Sequence, residues 1–375
     1  MSKRFLLRDA LAEFPPYVPG KPPVASPGLT PYKLSSNESH LEPLPAVVEA
    51  VAGASGAPAL YPDPAAARLT EALADFHGVP ADHVVLSAGS SESLAALVGI
   101  TLEPGAEVVY PWPSFEMYPQ LSSFSGATQI AVPLTADGRH DLPAMAQAIT
   151  DATGLMLLCS PNNPTGAVLG QAEFASFMSQ VPEDIIVVLD EAYIEFADGS
   201  EAVGALRTAD GHPDAPVDMG QALDTYSNLA VLRTFSKAHG LAGLRVGYTV
   251  AHPTIIHEMR KSIAPFSVGA AGQAAGLVSL ALRDEVHVRA KAVGATRDDL
   301  AVRLRELGID VPPSGGNFVW LPFSEHDAHA FAEACLARGL AVRDLGRGIR
   351  VTVGPDEAMD RLVDIAARFM EDRRA

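Results

Sequence analysis

The sequence of 375 residues is short of cysteine, of basic side chains and of strongly apolar runs, and each shortage excludes a class of protein. Cys159 and Cys335 are the only cysteines, and they form neither a C-x-x-C pair nor the closely spaced set of a disulfide framework. Charged residues interrupt residues 1–17, so no signal-peptide h-region can be drawn there. We therefore expect reduced thiols and a cytoplasmic protein.

Basic side chains are outnumbered, because 27 Lys and Arg residues stand against 45 Asp and Glu residues and give a net charge of −18. This charge repels phosphate backbones and anionic lipid over most of the surface. We therefore predict neither a nucleic-acid partner nor a membrane partner. The uncharged stretch from Ser262 to Leu282 is long enough to span a bilayer, but its Gly, Ser and Gln residues favour a closely packed helix inside a protein.

Motifs for nucleotides and metals are also missing. No G-x-G-x-x-G or G-x-x-x-x-G-K-S/T pattern follows a predicted strand, which argues against an NAD or nucleotide enzyme. The eleven histidines show no H-E-x-x-H or comparable ligand spacing, so we predict no metal site.

Short apolar runs alternate with helical patterns between about residue 82 and residue 250. The predicted strands are Val84–Leu86, Glu107–Tyr110, Gln129–Val132, Leu155–Cys159, Ile185–Leu189, Leu229–Leu232 and Arg245–Val250. This alternation predicts an α/β fold with a mostly parallel sheet that is covered by helices on both faces. In such sheets the active residues cluster at the carboxyl ends of the strands.

After Pro265 the pattern changes and predicts a smaller α/β domain. Its predicted elements are strands at Phe318–Leu321, Ala341–Arg343 and Ile349–Val353, a helix near Asp327–Arg338 and a closing helix from Asp356. We divide the chain into an extended N-terminal arm (1–35) that packs with the small domain, a large domain (36–265) and a small domain (266–375). A Gly-, Asp- and Pro-rich segment between Ala197 and Asn228 is interpreted as a surface insertion.

Lys237 is the first candidate for chemistry. It lies in Arg233-Thr-Phe-Ser-Lys-Ala-His-Gly, shortly after a predicted strand, with hydroxyl groups at Thr234 and Ser236. On its own, this segment would be interpreted as a loop with an exposed lysine. Two motifs upstream change that interpretation.

Asp190 ends a predicted strand that should be buried on both faces, where an unpaired charge is costly. It therefore needs a cationic partner, which a protonated pyridine nitrogen would supply. Further upstream, Ser160-Pro-Asn-Asn-Pro-Thr-Gly is a turn by composition, and most such turns only reverse the chain. Here the turn would present Asn163 beside Asp190.

A turn of small residues is the candidate anion site. Ala88-Gly-Ser-Ser-Glu-Ser follows a predicted strand and opens a helix. The backbone N–H groups of Gly89, Ser90 and Ser91, together with the helix dipole, can hold a phosphate group. Such a turn is a weak signal when it stands alone.

Several motifs in register carry a resemblance to a known family. Pro-Asn-Asn-Pro-Thr-Gly, Asp-Glu-Ala-Tyr and Arg-Thr-Phe-Ser-Lys-Ala, followed by Gly-Leu-Arg, occur in this order. They resemble the motifs of pyridoxal-phosphate-dependent fold-type-I aminotransferases, and most closely the histidinol-phosphate and aromatic (phenylalanine) branch. The resemblance covers nearly the whole chain. It implies an aspartate-aminotransferase-like fold, pyridoxal 5'-phosphate as cofactor, amino acid and 2-oxo acid substrates, and a homodimer with shared active sites.

The resemblance also implies a role for each candidate residue around the cofactor. Lys237 carries the cofactor as a Schiff base and moves the proton during catalysis. Asp190 pairs with the ring nitrogen, and Asn163 and Tyr193 form hydrogen bonds with the ring oxygen. Phe115 stacks on the ring, with a position in the core as the alternative.

Three further residues complete the implied cofactor site. Ser236 and Arg245 join the phosphate-binding turn, and Tyr61 reaches across from the neighbouring subunit. A single copy of the chain would then have an incomplete site.

The implied substrate residues lie in the two ends of the chain. Arg350 matches the arginine that holds the α-carboxylate as a bidentate pair. Asn37 and Tyr17 resemble residues that line the cleft, although structural roles in turns remain open for both. Arg343 is harder to place, because histidinol-phosphate enzymes use a nearby arginine for the phosphate of the substrate.

Three departures from the histidinol-phosphate pattern bear on the substrate. The chain reads Ser36-Asn-Glu-Ser-His in place of Ser-Asn-Glu-Asn-Pro and Gly89-Ser-Ser-Glu in place of Gly-Ser-Asp-Glu, and the loop Asp344–Ile349 is short. All three resemble the phenylalanine/aromatic subgroup. We predict an aromatic amino acid (phenylalanine/tyrosine):2-oxoglutarate aminotransferase, with a histidinol-phosphate aminotransferase of histidine biosynthesis as the alternative.

Two other classes of protein share part of this pattern. A related decarboxylase or lyase would keep Lys237 and Asp190, and product analysis with and without 2-oxoglutarate would separate it from a transaminase. A regulator that senses pyridoxal phosphate would need a DNA-binding domain, for which the chain has neither residues to spare nor the right charge.

Overall fold

The computed structural model describes residues 20, 22–24, 28–56, 59–197 and 223–373. Tyr17 and most of the segment interpreted as a surface insertion lie outside these residues. The described strands are β1 (Tyr32–Lys33), β2 (Val84–Ser87), β3 (Glu107–Trp112), β4 (Thr128–Pro133), β5 (Thr153–Cys159), β6 (Ile186–Asp190), β7 (Leu229–Thr234), β8 (Gly247–Ala251), β9 (Phe318–Leu321), β10 (Leu340–Ala341), β11 (Arg343–Asp344) and β12 (Ile349–Thr352).

The helices cover both faces of the sheet and extend into the C-terminal third of the chain. They are α1 (Pro45–Ala54), α2 (Ala67–His77), α3 (Ser90–Thr101), α4 (Met117–Ser125), α5 (Leu142–Gln147), α6 (Gln171–Met178), α7 (Pro253–Ser262), α8 (Ala270–Ala281), α9 (Arg283–Glu306), α10 (Glu325–Ala337) and α11 (Asp356–Asp372).

Local signals in the sequence explain where several helices begin. Ser324 accepts a hydrogen bond from the backbone N–H of Asp327 at 3.2 Å and so caps α10. Asp141 caps α5 in the same way through the N–H of Ala144 at 3.0 Å. Pro253 opens α7, a position at which the missing N–H costs no hydrogen bond.

The large sheet has the strand order β2-β8-β7-β6-β5-β3-β4, and of these seven strands only β8 runs against its neighbours. Strands β5, β6 and β7 are almost wholly buried, since helices cover both faces of the sheet, and this burial explains their continuous Val and Leu runs. The prediction of an α/β fold with a mostly parallel sheet is confirmed.

Two predicted strands differ in the structure. Strand β8 begins later than predicted, because Arg245 has a φ of 53° and this left-handed conformation cannot belong to a strand. The single strand predicted at Ala341–Arg343 is two strands, because the chain moves from one sheet to another at Val342. Strand β10 pairs in parallel with β1, and β11 pairs antiparallel with β12.

Apart from the core around the large sheet, another hydrophobic core lies mainly in the C-terminal third of the chain. Strands β11, β12 and β9 form a three-stranded antiparallel sheet, and its buried side chains pack with those of α9, α10 and α11. Strand β1, from the end of the predicted N-terminal arm, adds to this region through β10. The domain boundaries at residues 35 and 265 stay a prediction.

The uncharged stretch that contains α8 packs closely against the rest of the molecule. A Cβ atom added to Gly272 would lie 2.9 Å from the Val246 side chain, and one added to Gly276 would lie 2.8 Å from Leu69. These glycines therefore allow the helix to approach its neighbours. Of the helices described above, none is both long and apolar enough to cross a membrane.

Candidate active site

A cavity lies at the carboxyl ends of β5, β6 and β7, where polar groups from several loops converge. It brings together most of the residues predicted around the cofactor. It adds three to which sequence reasoning gave no role at the site, namely Cys159, Ala192 and Thr234. Each of the three stands at or next to the end of a strand that carries a predicted motif. The lining residues are Ser90, Ser91, Phe115, Cys159, Asn163, Asp190, Ala192, Tyr193, Thr234, Ser236, Lys237 and Arg245.

Lys237 enters the cavity from the loop that follows β7. Its Nζ donates to the backbone carbonyl oxygens of Ser36 and Asn37, at 3.3 Å each, and lies 5.5 Å from the centre of the Tyr193 ring. Burial, together with the positive charge of Arg350, lowers the pKa of Lys237 to about 8. Near neutral pH the fraction of this side chain that is the free amine is therefore far larger than for an ordinary lysine, and the free amine is the form that attacks a carbonyl carbon.

Asp190 ends β6 and is 3% exposed. Its Oδ1 accepts from the backbone N–H of Ala192 at 3.1 Å, and its Oδ2 accepts from the hydroxyl of Tyr118 at 3.4 Å. Burial raises the pKa of Asp190 to about 6, and these two hydrogen bonds offset only part of that effect. A cationic group in the cavity would stabilise the ionised carboxylate.

Arg350 reaches the cavity wall from the small sheet. It lies on β12 and is 5% exposed. Its Nη1 donates to Oδ1 of Asn163, and its Nη2 donates to the carbonyl oxygen of Ser35 at 2.7 Å. The guanidinium is thus buried and is held at the cavity wall by these two hydrogen bonds.

Asn37 lies behind Tyr193 and does not line the cavity. It has a φ of 54° and is 1% exposed. Its Nδ2 donates to the Tyr193 hydroxyl at 2.9 Å, while its Oδ1 accepts from the hydroxyl of Thr352 at 2.9 Å. Burial raises the pKa of Tyr193 to about 12, so the phenol keeps its proton and can donate it to an acceptor in the cavity. Asn37 therefore positions Tyr193.

At the predicted anion site, Ser90 and Ser91 open α3. Gly89 precedes α3 with a φ of 80°, and its own N–H is used, because it donates to the carbonyl oxygen of Ser87 at 2.7 Å. What Gly89 contributes is space, since a Cβ there would collide with the guanidinium of Arg245. A Cβ on Gly247 would likewise collide with the backbone nitrogen of Ser90.

Two side chains face the start of α3 across this space. Nη1 of Arg245 lies 3.4 Å from Oγ of Ser236, and both residues line the cavity with Ser90 and Ser91. The guanidinium of Arg245, the hydroxyl of Ser236 and the positive end of the α3 dipole thus surround the space that Gly89 keeps open. Such a set of groups suits an anion.

The remaining predicted residues occupy different places. Phe115 lines the cavity, and its ring packs edge-to-face on Tyr118 with 5.8 Å between centroids. Tyr61 is 82% exposed, stacks on Phe266 with 4.6 Å between centroids, and is not among the residues that line the cavity of its own chain. Arg343 forms an ion pair with Glu116 and does not line the cavity.

Acidic residues, histidines and cysteines do not cluster into a metal site anywhere in the part of the chain that the structure describes.

Comparison with known proteins assigns the chain to a family. The family model for aminotransferase class I and II matches residues 30–365. The aromatic amino acid aminotransferase of Streptomyces avermitilis is 44% identical over 98% of both chains. The protein of the same name from Thermobifida fusca is 45% identical over 97% of both.

Solved structures agree in fold. A histidinol-phosphate aminotransferase from Sinorhizobium meliloti, solved in complex with pyridoxal-5'-phosphate, superposes with a TM-score of 0.80 at 28% identity and 91% coverage of both chains. The aspartate aminotransferase from Thermus thermophilus with maleate gives a TM-score of 0.76 at 24% identity, covering 91% of this chain and 92% of that one, and supports the fold alone. The chain belongs to the class I and II aminotransferases, enzymes that move an amino group between an amino acid and a 2-oxo acid.

Proposed function

We propose that this enzyme is an aromatic amino acid (phenylalanine/tyrosine):2-oxoglutarate aminotransferase that uses pyridoxal 5'-phosphate held on Lys237. The observation that carries the choice of substrate is the similarity over nearly the full length to relatives named aromatic amino acid aminotransferases, at 40–45% identity. The cavity supports the reaction type, because it presents an amine, a buried carboxylate and an anion site to one small volume.

The residues of the cavity fit pyridoxal phosphate group by group. When bound, this cofactor supplies an electron sink for the electrons of a bond broken at the α-carbon of the substrate. Asp190 would hold the ring nitrogen, since burial raises the pKa of this carboxyl to about 6 and a cation on the ring would keep it ionised. The space kept open by Gly89 beside Arg245 would hold the phosphate group.

Three side chains of the protein position the substrate and the proton. Lys237, with a pKa of about 8, would take the proton from the α-carbon and return it, since a base is most effective when its pKa lies near the working pH. Arg350 would hold the α-carboxylate and so orient the bond to be broken. Tyr193, held by Asn37, would donate its hydroxyl proton to the ring oxygen.

A second copy of the chain would complete the site. Tyr61 is strongly exposed, and its aromatic neighbour Phe266 is itself 38% exposed with a φ of 63°. Such a pair of exposed stacked rings is typical of a surface that a partner covers. We therefore propose a homodimer in which Tyr61 contributes to the site of the partner.

The pKa of Lys237 predicts how the cofactor-free protein reacts with aldehydes. Below a pH of about 8 the rate of reaction with pyridoxal should rise about tenfold per pH unit and then level off, because only the free amine reacts. The reaction is followed by absorbance between pH 6 and pH 10. In the urea-unfolded protein, the pH at which the rate levels off should move toward 10.5, the ordinary pKa of lysine. A folded protein that behaves like the unfolded one would contradict the depressed pKa.

The substrate assignment is tested by steady-state kinetics with 2-oxoglutarate as acceptor. We expect kcat/KM for phenylalanine and tyrosine to exceed that for histidinol phosphate by roughly tenfold or more, since a pocket suited to an uncharged ring does not repay the desolvation of a phosphate. A much higher kcat/KM for histidinol phosphate would overturn the assignment. Release of CO₂ from the donor without 2-oxoglutarate would instead indicate a decarboxylase.

A further inference from the structure

A second, smaller cavity also borders Lys237, and we call it the side cavity. Among the described residues, Lys237 is the only one that lines both the side cavity and the candidate active site. The side cavity is also lined by Asn317, from the loop before β9, and by the segment 38–41. It has room for about one water molecule. Lys237 therefore lies between the active site and a small compartment with polar walls.

The amide of Asn317 lies close to the amine of Lys237. Nζ of Lys237 donates to the carbonyl oxygens of Ser36 and Asn37, and Nδ2 of Asn317 donates to the same oxygen of Asn37 at 3.3 Å. Two donors that share one acceptor atom lie within two hydrogen-bond lengths of each other. One water molecule can bridge such a separation.

The other end of the Asn317 amide still has an acceptor to offer. Asn317 is 2% exposed, and its Oδ1 has no hydrogen-bond partner among the residues that the structure describes. The residue itself is fixed in place, because its backbone oxygen also accepts from the N–H of Val353 at 2.9 Å. A buried amide oxygen without a hydrogen bond is costly, and a water molecule in the side cavity would remove that cost.

A protonated lysine has three N–H donors, and two of them are already used. The carbonyl groups of Ser36 and Asn37 accept two hydrogen bonds from Nζ. The third donor needs an acceptor when the amine has taken the proton from the α-carbon of the substrate. A neutral amine has no such need, since it carries one hydrogen fewer.

We propose that Asn317 is a positioning residue for Lys237, whose Oδ1 accepts the third N–H of the protonated amine through one water molecule in the side cavity. The oxygen of this water accepts from Nζ, and one of its hydrogens is donated to Oδ1. The inference rests on the proposed function, in which Lys237 moves the proton. It assigns to the protonated amine a site of its own, formed by two backbone carbonyl groups and one side-chain amide.

The first test replaces Asn317 with leucine, which has a similar shape and no acceptor. The cofactor-free variant reacts with pyridoxal between pH 6 and pH 10, and Lys237→Ala measured in parallel gives the reaction of the other lysines. The pH at which the rate levels off, about 8 in the wild type, should fall by roughly one unit in Asn317→Leu, because a lost acceptor favours the free amine. The charged groups that act on the pKa of Lys237 are the same in both proteins, namely Arg350, Glu38, Arg245 and Asp190.

A second variant at the same position predicts a shift of the opposite sign. Asn317→Asp places a carboxylate beside the amine in an isosteric side chain. This negative charge favours the protonated form, so the rate should level off roughly one pH unit or more above the wild-type value. A residue with a merely structural role would not produce opposite shifts in these two variants.

Asn228→Leu is the matched control for the loss of a buried asparagine. Asn228 is 8% exposed, and its Nδ2 donates to the carbonyl oxygens of Pro182 and Ile185 at 3.2 and 2.8 Å. It lines neither the candidate active site nor the side cavity. The pH at which the rate levels off should therefore stay as in the wild type. Thermal unfolding shows whether each variant is folded.

The pH profiles decide the inference. An unchanged profile in folded Asn317→Leu would overturn it, and so would shifts of the same sign in Asn317→Leu and Asn317→Asp or an equal shift in Asn228→Leu. A failure of the proposed function would appear elsewhere, in the turnover of the wild-type enzyme with phenylalanine and histidinol phosphate. The pyridoxal reaction requires neither substrate, so the two failures are distinct.

Discussion

Replacing Lys237 with alanine is expected to lower kcat for transamination by roughly 10⁴-fold or more. The side chain is the amine at the centre of the cavity, with Nζ held by two backbone carbonyl groups and with a pKa near 8. Its loss removes the covalent attachment of the cofactor and the base that moves the proton. No other lysine lines the cavity in the part of the chain that the structure describes.

The effect is measured by turnover with phenylalanine and by the absorbance of the cofactor after dialysis. Lys261→Ala is the matched control, because Lys261 is an exposed lysine whose ion pair with Glu258 lies on the surface of α7. Added methylamine should restore part of the activity of Lys237→Ala, since a small amine can act as the base in the vacated space. Normal turnover in Lys237→Ala would contradict the assignment of Lys237 as the residue that holds the cofactor and moves the proton.

Replacing Asp190 with alanine has the second largest expected effect, a fall in kcat of roughly 10²- to 10⁴-fold. Breaking a buried charge pair costs about 3–5 kcal/mol, and each tenfold in rate corresponds to about 1.4 kcal/mol. The carboxylate is 3% exposed and is aimed into the cavity by Ala192 and Tyr118. Without it, the ring nitrogen would not hold its proton, and the electron sink would be weakened.

Asp184→Ala is the control for this variant, because Asp184 is exposed and precedes the opposite end of the same strand, β6. The absorbance spectrum of the bound cofactor should change in Asp190→Ala and stay as in the wild type in Asp184→Ala. A variant at Asp190 that keeps both the wild-type spectrum and the wild-type kcat would show that this carboxylate does not act on the ring.

Sequence reasoning reached those site residues that follow strands. Asp190 ends β6, and Asn163 and Lys237 come after β5 and β7. Neighbouring parallel strands bring their carboxyl ends to one edge of the sheet. The periodicity of the strands and a few motifs therefore suffice to predict that these side chains meet. The strand predictions were also close, apart from the start of β8 and the division of β10 from β11.

The same reasoning could not predict contacts between residues that are far apart in the sequence. Asn37 holds the hydroxyl of Tyr193 over a separation of 156 positions, and Tyr118 reaches Asp190 over 72. Arg343 and Glu116 are 227 positions apart. No local pattern encodes such pairs, because each depends on how the two sheets are placed relative to each other.

The amino-acid sequence by itself determined the α/β class, the mostly parallel sheet and the edge of that sheet at which Lys237 and Asp190 lie. These properties follow from short-range periodicity and from the geometry of parallel strands. Only the tertiary structure decided that Asn37 supports Tyr193, that Gly89 makes room beside Arg245, and that Glu116 is in contact with Arg343. Such contacts arise from packing between segments far apart in the chain, where a shift of one ångström changes which groups meet.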